Sequence, residues 1–108
     1  MSTPVSSWER ACAEVDLAPS RPHKVNIAGR DIALVRTGEG VFAVDDICSH
    51  AQWSLSDGDV EDCTIECSLH GARFDLRTGQ PSGLPAVVPV ATYAVKIEDG
   101  SVFIGLSN

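Results

Sequence analysis

Apolar residues along this chain recur in short runs, most often at every second position, and glycine-, proline- or acid-rich breaks separate the runs. From Trp8 to Ala13 the alternation sets Trp8, Arg10 and Cys12 against Glu9 and Ala11, which predicts an edge strand. Ala18-Pro19-Ser20-Arg21-Pro22 is a loop, because prolines cannot donate to a β-ladder. Lys24 to Ala28, Ile32 to Arg36 and Val41 to Asp45 read as three successive strands, broken at Gly29-Arg30-Asp31 and at Thr37-Gly38-Glu39-Gly40. Together they form a β-meander, and its many β-branched side chains suit a half-buried pleated surface. The third strand runs directly into Asp46-Ile47-Cys48.

Leu55 to Val60 is loop and turn, and Cys63 to Cys67 is a short strand whose period of two puts Cys63, Ile65 and Cys67 on one face. Arg73 to Leu76 is a further strand, followed by a turn at Arg77-Thr78-Gly79-Gln80 and a stiff Pro81 to Pro85 loop. Val87 to Val90, Thr92 to Glu98 and Ser101 to Gly105 are the last strands, with Asp99-Gly100 as a two-residue hairpin. Met1 to Ser7 has little to bury and is expected to fray. No segment sustains apolar residues at helical spacing. The pattern therefore predicts an all-β protein, an antiparallel β-sandwich or partly closed barrel.

A chain of 108 residues supports one small domain with one core. It has no apolar run of about eighteen residues and no secretory leader at Met1 to Leu17, so the expectation is a cytoplasmic protein with neither a membrane span nor a signal peptide. The net charge of -7 and the lack of a Lys/Arg cluster argue against a nucleic-acid surface. Asp57, Asp59, Glu61 and Asp62 share one segment. It reads either as a solvated face that keeps the protein monomeric and soluble, or as a field that steers it toward a basic protein partner.

The chemistry lies in Cys48-Ser49-His50, sixteen further residues, and then Cys67-Ser68-Leu69-His70. Each box offers one thiolate and one imidazole, and two facing loops would bring four ligands to one place. With the cysteines on one side and the histidines on the other, a binuclear cluster is the natural occupant; a structural zinc ion is the alternative. Cys63 is not a fifth ligand, since four residues of extended strand separate it from Cys67 by roughly 13 Å. Cys12 and Cys63 read as small buried hydrophobes, and His23 as a surface residue.

At these boxes the chain resembles the Rieske iron-sulfur proteins, and the following Arg73-Phe74-Asp75-Leu76-Arg77-Thr78-Gly79 and the Pro81 to Pro85 loop extend the resemblance. The resemblance implies the Rieske fold, with a small cluster-binding subdomain at 45–85 on a base made of 1–44 and 86–108, and Pro81 to Pro85 as a lid. It also implies a 2Fe-2S cluster with Cys48 and Cys67 on one iron and His50 and His70 on the other. Replacing two thiolates by neutral imidazoles makes the oxidised centre uncharged and so easier to reduce than a four-cysteine ferredoxin. Rieske potentials span about -150 to +300 mV, against about -400 mV for plant-type ferredoxins.

Trp53 and Leu69 stand where the quinol-oxidising members carry a disulfide, and Ala72 and Phe74 where they carry hydroxyls that bond the sulfurs. The low end of the range is therefore expected. In these features the chain resembles the soluble ferredoxins of aromatic-ring dioxygenases, of the carbazole or biphenyl type. That implies a flavin-containing ferredoxin reductase and a terminal oxygenase as partners, and a carrier with no catalytic site of its own. A Rieske-like small subunit of nitrite reductase is the rival reading. Both partners are expected to compete for one apolar patch around His50, His70, Trp53 and the Pro81 to Pro85 loop, which includes Leu84.

Overall fold

The run Ile32-Ala33-Leu34-Val35 is too continuously apolar for a strand with one wet face. In the computed structural model, which describes residues 7–47, 54–67, 73–81 and 89–106, all four residues are fully buried. Ile32 and Leu34 point into one core while Ala33 and Val35 point into another. The strand that carries them is covered on both sides, and this sets the architecture.

The six-stranded sheet is made from β1 (Ser7–Ala13), β2 (His23–Ile27), β3 (Arg30–Thr37), β4 (Gly40–Asp45), β8 (Thr92–Glu98) and β9 (Ser101–Leu106). Its antiparallel order is β1-β9-β8-β4-β3-β2, and the edge strands β1 and β2 approach each other, so the sheet is nearly closed. Its interior holds Cys12, Ile27, Ile32, Leu34, Val102 and Ile104. A second sheet of β5 (Val60–Glu61), β6 (Thr64–Glu66) and β7 (Arg73–Asp75) lies against the other face of β3 and β4. Leu55, Cys63, Ile65, Cys67, Phe74 and Leu76 pack there with Ala33, Val35 and Val44. The predicted meander is β2-β3-β4, and nine antiparallel strands stand among the described residues.

Several local expectations are corrected. Trp8 and Cys12 do not share a face, because a bulge between Arg10 and Cys12 inverts the alternation. Cys12 turns inward beside Val102, whereas Trp8 stays on the outer face with Lys96 Nζ 4.6 Å from its ring centroid. The first hairpin turns at Ala28-Gly29, both at positive φ, and Arg30-Asp31 already belong to β3. Residues 89–91 are not a strand; the Val90 N–H donates to the Gly79 carbonyl at 2.9 Å, and Val87 lies outside the described residues. Leu76 follows β7 as part of a turn, His23 is half-buried at the start of β2, and Ser7 already belongs to β1. Glu14–Asp16 and Leu55–Asp57 form single 3-10 turns, too short for helical periodicity to reveal.

Candidate metal centre

The first box hangs between two fixed points. Ile47 and Ser54 form an antiparallel bridge that closes the segment 48–53, and the Leu55 N–H donates to the Asp46 carbonyl at 2.5 Å. The second box leaves the end of β6 and returns as β7, with Glu66 opposite Arg73. Arg73 is also held to Glu66 by an ion pair at 3.5 Å and donates to Thr64 Oγ1 at 3.2 Å.

The described flanks of the two boxes meet. The Glu66 N–H donates to the Asp59 carbonyl at 2.8 Å, and Gly58 runs against the Glu66 backbone. Leu55, at the exit of the first loop, shares a buried core with Cys67, at the entrance of the second. Pro81 forms a bridge with Phe74, which brings the start of the proline-containing segment alongside β7.

Of the four predicted ligands, Cys67 falls within the described residues, and its side chain is fully buried and free. Cys48, His50 and His70 lie outside the described residues, as do Trp53, Leu69, Ala72 and Leu84. Among the described residues no three Cys, His, Asp or Glu side chains gather to hold an ion. A buried soft donor at Cys67, with one more thiol and two imidazoles in the two boxes of the sequence, fits a metal-sulfur group better than an oxygen-ligated ion.

The other two described thiols are structural. Burial pushes the Cys12 thiol up, with Asp16 adding to the effect, and burial pushes the Cys63 thiol up, with Glu39 adding to it. The predicted face of Cys63, Ile65 and Cys67 is buried at all three positions. Asp57, Asp59, Glu61 and Asp62 are all exposed, as a solvated acidic face requires.

Two features were not anticipated from the sequence. Asp46 is fully buried and bonded to Ser54 and Ser56; the signal was its parity with the inward-facing Val44 along an extended chain. Beside Ile47, an open pocket is lined by Arg30, Asp31, Asp45 and Tyr93. The Tyr93 hydroxyl donates to Asp45 and accepts from Arg30 Nη1 at 3.5 Å, and burial, followed by the Asp45 bond, raises its phenol pKa.

The sequence matches the Rieske [2Fe-2S] domain over residues 7–94. It is 41% identical over 99 residues to the ferredoxin component of biphenyl 2,3-dioxygenase from Rhodococcus jostii, covering 92% of each chain. The fold superposes on the ferredoxin of carbazole 1,9a-dioxygenase from Nocardioides aromaticivorans with a TM-score of 0.89 and 35% identity, covering 94% of this chain and all of that one. It also matches a chain in the complex of reduced oxygenase and oxidised ferredoxin of carbazole 1,9a-dioxygenase, with a TM-score of 0.85 and 34% identity over 91% of this chain and 92% of that one.

Proposed function

This chain belongs to the Rieske [2Fe-2S] family, and we propose that it is a one-electron carrier, passing electrons from a flavin-dependent NAD(P)H reductase to the terminal oxygenase of an aromatic-ring dioxygenase system. The observation that carries this reading is the buried, free Cys67 thiol just past β6, in one core with Leu55, which follows the first Cys/His box in the chain. The likeness to ferredoxin components over most of the chain supports a carrier over a fixed nitrite-reductase subunit.

Cys48 and Cys67 would hold one iron and His50 and His70 the other. When bound, the cluster supplies one reversible electron at a potential that histidine ligation raises. The chain does the rest. Residues 45–85 form the cluster-binding part, and 1–44 with 86–108 its base. β6 delivers Cys67 into the core, which would place the thiolate ligands of a bound cluster toward the protein interior. Electrons enter and leave at the histidine side.

With every iron position taken by protein or sulfide, no place remains for dioxygen or substrate, and chemistry on the aromatic ring belongs to the oxygenase. Both partners use the same small face around His50, His70, Trp53 and Leu84, since transient electron-transfer contacts bury less than about 1,200 Å². The exposed acidic residues of 57–62 tune the encounter rate. The protein works as a monomer in the cytoplasm, where Cys12 and Cys63 stay free thiols. No helix among the described residues is long and apolar enough to cross a membrane.

The test is spectroscopic and then kinetic. The purified protein is expected to be red-brown with the paramagnetic resonance signal of a reduced Rieske centre, to be bleached by NADH with a flavin reductase, and to be reoxidised by a terminal oxygenase. A colourless protein that carries stoichiometric zinc overturns the reading. A stable complex of reductase, carrier and oxygenase overturns the shared face.

A further inference from the structure

Asp46 is the fully buried charged side chain of the described residues. A carboxylate leaves water only when other groups replace its hydration, so its partners disclose its role. Oδ1 accepts the Ser56 N–H at 2.8 Å, Oδ2 accepts the Ser54 hydroxyl, and Lys24 Nζ stands 3.7 Å from Oδ2. The backbone of Asp46 adds two bonds, from the Leu55 N–H at 2.5 Å and to the Asp31 carbonyl at 3.0 Å. The residue just ahead of the first Cys/His box thus clasps the three residues just behind it, and its own amide ties the clasp to β3.

Resting on the cluster reading above, we propose that Asp46 is a positioning residue for the iron-sulfur centre: its carboxylate ties together the residues that flank the segment carrying Cys48 and His50, and adds a negative charge partly offset by Lys24. Asp46 stands two residues from the proposed ligand Cys48 in the sequence, so its charge is expected to be felt at the centre. An anion there disfavours the incoming electron and holds the potential down. Lys24, half-exposed at the rim, works in the opposite sense.

The test compares full-length Asp46→Asn, Asp46→Ala and Lys24→Gln proteins with their clusters loaded. Asp46→Asn keeps an acceptor for Ser56 without the charge, so the cluster is retained, the reduction potential rises and the resonance g values shift. Lys24→Gln moves the potential the other way. Asp46→Ala leaves the Ser56 N–H and the Ser54 hydroxyl without their acceptor, so cluster loss to an iron chelator accelerates by about tenfold or more, as expected for deleting a charge-assisted buried bond. Amide exchange at Leu55 and Ser56 accelerates with it. If Asp46→Ala does not fold, the Asp46→Asn potential and the exchange rates in Ser54→Ala decide. A normal wild-type spectrum with unmoved potentials and exchange rates in the variants overturns the clasp alone. A wild-type protein without the Rieske spectrum overturns the function and the clasp together.

Discussion

Gly58 passes the carbonyl of Glu66 so closely that a Cβ at position 58 would stand 1.6 Å from that oxygen. The contact is backbone against backbone, so no rotamer change relieves it, and it joins the end of the Leu55–Asp57 turn to the end of β6. Gly58→Ala is expected to cost about 1–3 kcal/mol, as overpacking does, and to loosen cluster retention. Urea denaturation of the loaded protein measures this. An unchanged midpoint would mean that the two segments can slide apart freely.

Cys63 and Cys67 flank β6 and are both buried, and the proposed function makes only Cys67 a ligand. Cys67→Ser should abolish the visible spectrum, as should Cys48→Ser. Cys63→Ala should keep the spectrum and lose about 1 kcal/mol of stability, the effect of removing one buried heavy atom. Loss of the cluster in Cys63→Ala would make that thiol a ligand.

The reduction potential should lie near the low end of the Rieske range, at about -150 mV. Phe74 is fully buried, lies opposite Ile65 and packs in the same core as Cys67. A hydroxyl introduced by Phe74→Tyr can donate to the sulfur end and stabilise the reduced state, raising the potential. Protein-film voltammetry of both proteins decides. A positive wild-type value, or no shift in the variant, contradicts the assignment.

Arg77 ties the turn after β7 to the β3–β4 turn, reaching Asp75 Oδ2 at 3.2 Å and Glu39 Oε1 at 3.1 Å. The Arg77 side chain holds the Asp75 carboxyl below its usual range, helped by the Arg77 N–H. A depressed folded value stabilises the protein above the unfolded value, near about 3.9, and that stabilisation disappears as pH falls through the folded value. Arg77→Ala should therefore flatten the loss of stability between about pH 5 and pH 2. Parallel acid-unfolding curves for wild type and variant would show that the pair contributes nothing.

Alternation alone was enough to find the β2–β4 meander, the Asp99-Gly100 hairpin and the buried face of Cys63, Ile65 and Cys67, because a strand's period is a local property of the chain. The two Cys/His boxes were legible as a family signature, because residue type and spacing are written in consecutive residues, and the chain matches the Rieske domain over residues 7–94. What alternation could not supply came from residues far apart in the sequence. The bulge that turns Trp8 outward depends on pairing with β9, near the other end of the chain. The burial of Ala33 and Val35 depends on a second sheet that covers β3. Asp46 has the composition of a solvated turn residue, and only the return of Ser54–Ser56 makes it a buried clasp. Periodicity reports which way a side chain points, whereas what it meets there is decided by the packing of distant segments.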